Sequence, residues 1–124
     1  MTRKAVPMLH VPDVQATMDW YAGIGFTVQR VNEQDGRIDW ALLTFGASEL
    51  MLSGGGTTSD AWRRDVDLYV HTDGVDDLYE SLRSRTDVVE PPHDTFYGMR
   101  EFILRDLNRF WLTFAQPVPA TATS

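Results

Sequence analysis

The sequence predicts an α+β fold made of two copies of a βαβββ module. Three observations predict it. The order strand, helix, three strands occurs twice along the chain. A glycine-rich stretch, Gly54-Gly55-Gly56-Thr57-Thr58-Ser59-Asp60, separates the two occurrences and is linker-like in composition. Neither copy has enough structure to bury both faces of its own sheet, so the copies are expected to share a curled mixed β-sheet with a concave surface.

The elements follow in order. Ala5 to Val11 is apolar on both faces and reads as a strand. Pro12-Asp13 stops it, and Asp13 is placed to cap a helix over 14–22, where Val14, Met18 and Tyr21 recur at helical spacing. Gly23 and Gly25 end that helix. Strands are expected at 26–31, 37–45 and 49–53, separated by turns at Asn32–Gly36 and Gly46–Ser48. After the glycines come a strand at 66–72 and a helix at 75–85 marked by Val75, Leu78, Tyr79 and Leu82. A short strand at 88–90 is expected to break at Pro91-Pro92, and two more at 99–105 and 110–115 flank the turn Asp106–Arg109. When His10 is laid on His71, Leu9 falls on Val70, Val14 on Val75 and Met18 on Tyr79. The expected division is a first module at 1–53, a linker at 54–65, a second module at 66–116 and a flexible tail at 117–124, with 5–116 forming one domain.

Composition narrows the function. The 124 residues carry 11 Lys and Arg against 18 Asp and Glu, a net charge of −7, which argues against a general binder of the nucleic-acid backbone. With no cysteine there is no disulfide, Cys-based zinc site, iron–sulfur cluster or Cys nucleophile. No signal-peptide core and no apolar run of membrane-spanning length is present, so a cytoplasmic protein is expected. Ser53-Gly54-Gly55-Gly56 lacks the Lys of a phosphate loop, no nucleophile elbow occurs, and Asp76-Asp77 reads as a solvated helix face.

Ala5-Val6-Pro7-Met8-Leu9, Asp13-Val14, Trp20-Tyr21 and Gly25-Phe26 resemble the opening of bleomycin-resistance proteins. Gly74–Tyr79 and Tyr97–Asp106 resemble the second half of the same family, except that its closing Asp-Pro-Asp-Gly-Asn turn is here Asp106-Leu107-Asn108-Arg109. The resemblance covers about residues 5–115 and is to the superfamily of glyoxalases, extradiol dioxygenases and antibiotic-binding proteins, the vicinal oxygen chelate fold. It implies paired βαβββ modules and a homodimer with ligand crevices at the subunit interface, often with an exchanged N-terminal strand, for which 5–11 is suited.

In the metalloenzymes of that superfamily, the resemblance places metal ligands at Val6, Met51, Asp67 and Thr113. Only Asp67 is a good donor, and one carboxylate cannot hold a catalytic divalent ion. His10 and His71 keep the same strand parity as Val6 and Asp67, but no matching carboxylate pair is evident, and His93 reads as a loop histidine. No metal or other cofactor is therefore expected, and no catalytic residue is assigned. Acid–base work by Asp67, Glu49 and His71 without metal stays open.

Period-two alternation assigns the concave faces. Glu49 and Met51 share one strand face, Asp67, Tyr69 and His71 another, and Trp111 and Thr113 a third. Trp40 lies on the strand neighbouring 49–53, and Tyr97 borders the same groove. Trp62 sits in a polar segment, as a cap over the groove, a contact with a partner subunit or a staple for the linker. The aromatics either fill the core or line the groove. In the second case they stack a planar ring system, while Glu49 and Asp67 attract amine groups. The expected function is metal-free sequestration of a planar aromatic antibiotic of the bleomycin, mitomycin or enediyne kind, including cationic ones. The alternatives are a lyase or oxidoreductase of the glyoxalase or dioxygenase type, and a sensor of a small metabolite.

Overall fold

The computed structural model describes residues 3–119. The chain forms two compact units, divided between Ser59 and Asp60. The first contains β1 (Met8–His10), α1 (Val14–Gly23), β2 (Thr27–Gln34), β3 (Arg37–Phe45) and β4 (Ser48–Ser53). The second contains β5 (Asp67–His71), α2 (Val75–Leu82), β6 (Asp87–Asp94), β7 (Met99–Arg105) and β8 (Trp111–Pro117). Each unit is a four-stranded mixed sheet, in the orders β1-β4-β3-β2 and β5-β8-β7-β6, with one parallel pair and otherwise antiparallel pairing. Both are the expected βαβββ module.

In the first unit, the Asp13 carboxylate caps α1 by accepting from Ala16 N at 3.0 Å. Val14, Met18 and Tyr21 turn into the core, and α1 lies on β2, β3 and β4, whose Leu43, Leu50 and Leu52 are buried. An edge-to-face series from Trp20 through Tyr21 to Phe26 fills the space beside them. β1 is shorter than the 5–11 read from the sequence. Pro7 has no amide, so only its carbonyl continues the parallel ladder, accepting from Met51 N at 2.9 Å. β2 instead runs longer, to Gln34. Asp35 and Gly36 both have positive φ and close a two-residue hairpin that pairs Gln34 with Arg37, so Asn32 and Glu33 belong to the strand.

In the second unit, α2 lies on β6, β7 and β8. Val75 and Leu82 pack with Phe102, Leu104, Leu112 and Phe114, and the Phe102 and Phe114 rings stack at 5.0 Å. Gly74 offers no side-chain cap, and Gln116 on β8 supplies one by accepting from Val75 N at 2.7 Å. The helix stops at Leu82, short of 85, because Thr86 donates to the Leu82 carbonyl and Arg85 N turns back to it. Asp76, read as solvated, is paired with Arg100 at 2.9 Å.

Two expectations are corrected on β6 and β8. Pro91 and Pro92 do not break β6. They fall in the register shift between Glu90 and His93 on an edge strand, where no ladder amide is required of them. β8 extends to Pro117, which pairs with Met99, and Val118 N donates to Gly98 O, so the segment 117–119 is not frayed. Residues 120–124 of the expected tail lie outside the described residues.

Nor is 54–65 a free linker at either end. Gly54 N donates to Asp39 O and Gly56 N to Val11 O, while Arg64 Nη1 donates to Asn108 O at 2.9 Å. Among the described residues no helix is long and apolar enough to cross a membrane.

Candidate functional site

Register decides which side chains share a face. In the first sheet, Trp40 pairs with Ser53, Leu42 with Met51 and Thr44 with Glu49. Trp40, Glu49 and Met51 therefore lie on one face, opposite the residues under α1. In the second sheet, Asp67 pairs with Trp111, Tyr69 with Thr113 and His71 with Ala115. These alternate with Leu112 and Phe114, which pack beneath α2, so Asp67, Tyr69, His71, Trp111 and Thr113 lie on the helix-free face. The core aromatics are Tyr21, Phe26, Phe102, Phe110 and Phe114. Trp40, Tyr69, Tyr97 and Trp111 all retain exposed surface. Thr113 is buried.

Both carboxylates expected to attract a cation already hold one. Asp67 is paired with Arg63, four residues earlier in sequence, through both carboxylate oxygens. Glu49 is paired with Lys4. The Arg63 guanidinium also lies over the Trp111 ring, 4.3 Å from its centroid. Trp62 is stapled by its backbone: its carbonyl accepts from Trp111 Nε1 at 3.0 Å and from Arg105 Nη1 at 3.1 Å. Its indole stays largely exposed, edge-on to Trp111 and under Arg105.

A different carboxylate on the same face was not anticipated from the sequence. Glu101 on β7 pairs with Ala115, which places it beside Tyr69 and His71 across the sheet. It is 4% exposed. Its Oε2 accepts from Tyr69 Oη at 2.5 Å and from Tyr97 Oη at 2.7 Å. Ala115 contributes only a methyl group between β5 and β7, which leaves Tyr69 a path to the carboxylate. The signal in the sequence was the alternation of β7, where Glu101, Ile103 and Arg105 fall opposite Phe102 and Leu104. Strand register, which joins Glu101 to Tyr69, was not visible there.

This arrangement raises both phenol pKa values. For Tyr69 the larger cause is loss of water around its hydroxyl, followed by the hydrogen bond to Glu101. For Tyr97 the hydrogen bond to Glu101 comes first. Both phenols thus ionise later in the folded than in the unfolded chain. Their contribution to stability is present below the ordinary tyrosine range and is lost as pH rises through the raised folded values. The expected result of a ring-carbon NMR titration is that Tyr69 and Tyr97 ionise above the ordinary range, and that Glu101→Gln brings both down. Unchanged midpoints in Glu101→Gln would remove Glu101 as a cause.

The family model for the Glyoxalase/Bleomycin resistance protein/Dioxygenase superfamily matches residues 5–114. The chain belongs to this superfamily. Among solved structures, TioX from Micromonospora sp. ML1 is 25% identical, with a TM-score of 0.75, covering 94% of this chain and 100% of that one. A bleomycin-binding protein complexed with bleomycin is 19% identical, with a TM-score of 0.69, over 93% and 98% of the two chains. The bleomycin resistance determinant encoded on the transposon Tn5 is 19% identical, with a TM-score of 0.70, over 94% and 98%. The last two likenesses are of fold. No curated protein matches the chain.

At the positions where the resemblance places metal ligands, Val6, Met51 and Thr113 offer no imidazole or carboxylate, so these residues do not fit a metal, and Asp67 is paired with Arg63. Among the described residues no three His, Cys, Asp or Glu side chains gather into a group that could bind an ion. His10 pairs with Ser53 in the first unit, and His71 with Ala115 in the second. His93 lies on β6, not in a loop, and its Nδ1 is 3.1 Å from Pro91 O.

Proposed function

We propose that this superfamily member is a metal-free binding protein that sequesters a planar aromatic small molecule, of the kind represented by bleomycin, mitomycin or enediyne antibiotics, without changing it chemically. The observation that carries the reading is the helix-free face of the second sheet. There Tyr69, His71 and Trp111 present aromatic surface while the core beneath is filled by other rings. Stacking a flat ring system on such surface contributes about 0.5–1.5 kcal/mol per contact beyond burial. Trp40, Glu49 and Met51 on the first sheet and Tyr97 and Trp62 beside the second belong to the same reading, with a homodimer as the binding species. The solved relative that holds bleomycin supports it.

Titration of the purified protein with a panel of flat aromatic antibiotics, followed by tryptophan fluorescence and thermal denaturation, tests it. A stoichiometric fluorescence change is expected, with stabilisation of about 2.7 kcal/mol at a hundredfold excess over Kd. Recovery of an unaltered drug after incubation is part of the expectation. No response across the panel, or chemical conversion of a bound compound accompanied by about one divalent ion per chain, would overturn it in favour of the enzyme reading. Stabilisation by a cellular metabolite and by no antibiotic would make the protein a sensor.

A further inference from the structure

Glu101 carries a charge that nothing around it neutralises. Among the described residues its partners are two neutral phenols, whereas Asp67, Glu49, Asp76 and Asp87 each face Arg or Lys. A carboxylate taken out of water without a counter-charge is costly, and here the two phenol hydrogen bonds are what offset that cost. Both bonds fall on Oε2. No donor among the described residues reaches Oε1. Among the described residues no fully buried side-chain oxygen lacks a partner, so Oε1 keeps some contact with solvent.

The residues around the carboxylate are aromatic. Tyr69 meets the His71 ring edge-on at 5.2 Å, and Tyr97 meets Phe96 edge-on at 5.1 Å. The tyrosines are about half exposed and Phe96 is almost entirely so. Ring faces beside a carboxylate attract an organic cation. An inorganic ion is disfavoured, because calcium takes six to eight oxygen ligands and magnesium a full octahedron. A guanidinium prefers both carboxylate oxygens, and here Oε2 is already doubly occupied. A single ammonium donor matches the one free oxygen.

We infer that Glu101, with Tyr69 and Tyr97, is the seat for the ammonium group of a small organic ligand, the phenols holding the carboxylate through Oε2 while Oε1 receives the cation. The assignment rests on the binding-protein reading and adds the class of ligand group and the residue that receives it.

The test uses benzylamine as the probe and benzyl alcohol as its neutral counterpart, with ring resonances of Tyr69, Tyr97 and His71 read by NMR in the whole protein. Saturable shifts at these rings are expected with benzylamine and not with benzyl alcohol. Glu101→Gln keeps the shape and an acceptor for the phenols but removes the charge, and is expected to weaken benzylamine about tenfold, the loss of one charge-assisted hydrogen bond. Tyr97→Phe keeps the ring and removes one of the two donors that draw on the carboxylate's charge, so it is expected to tighten benzylamine several-fold, a change opposite to structural damage. Equal binding of amine and alcohol, unchanged affinity in Glu101→Gln, or weakening in Tyr97→Phe would each overturn the inference. If Glu101→Gln does not fold, Tyr97→Phe decides alone. Antibiotics that bind wild type and Glu101→Gln equally would leave the binding-protein reading standing and sink this one. Benzylamine seated at Glu101 with no antibiotic bound would do the reverse.

Discussion

Asp106→Ala is expected to lower the stability of the second unit by about 2–4 kcal/mol, the cost of stranding two backbone amides at a tight turn. The turn between β7 and β8 is Asp106-Leu107-Asn108-Arg109, with no proline or glycine in it. Arg109 has φ +73, a left-handed conformation that is unfavourable for a residue with a side chain. The Asp106 carboxylate holds the turn despite this. Asp106 is 4% exposed, and its Oδ1 accepts from Asn108 N at 2.7 Å and Phe110 N at 2.9 Å. The same turn carries the Asn108 carbonyl that receives Arg64, so its loss also loosens the segment leading into β5. Asp106→Asn keeps an oxygen in place and is expected to cost only about 1 kcal/mol. Urea denaturation of both variants checks this. Equal and small losses would show that the turn stands without the carboxylate.

Gly56→Ala is expected to destabilise the first unit by about 2–3 kcal/mol, at the upper end of overpacking costs. A Cβ at this position would sit 2.2 Å from His10 O and 2.5 Å from Val11 N, both backbone atoms that cannot swing aside. The crowding arises because the chain after β4 folds back along the end of β1, where Gly56 N donates to Val11 O. Gly55→Ala is the control. Its φ is +92, but nothing lies within 4 Å of the added carbon, so only backbone strain of about 1 kcal/mol is expected. Hydrogen exchange locates the damage. Protection should fall at Val11 and Gly56 in Gly56→Ala and stay unchanged at Thr72 and Asp106 in the second unit. A Gly56→Ala protein as stable as wild type would mean that β1 and the following segment separate at little cost.

Much of the fold was legible because it is specified locally. Asp13 caps the helix that follows it, and the turns at Gly36, Gly46 and Arg109, all with positive φ, bound the strands on either side. Pro91-Pro92 misled because a proline breaks a ladder only where an amide is required, and the sequence does not reveal which strand lies at an edge. The candidate site was legible in its aromatic half. Tyr69, His71, Trp111 and Thr113 share a face as parity requires. Its charges were not. Asp67 looked free, and only folding shows Arg63 turned back onto it and over Trp111.

Residue order by itself determined the two βαβββ modules and the faces of their strands. These depend on periodicity and on side-chain chemistry, which are properties of neighbouring residues. Tertiary structure alone decided what each carboxylate of the candidate site faces. That depends on strand register, which brings Glu101 within reach of Tyr69 from 32 positions away, and on chain reversals that leave Glu49 and Asp67 beside Lys4 and Arg63. Contacts between distant parts of a chain are set by how sheets pair, and no short window of sequence encodes that pairing.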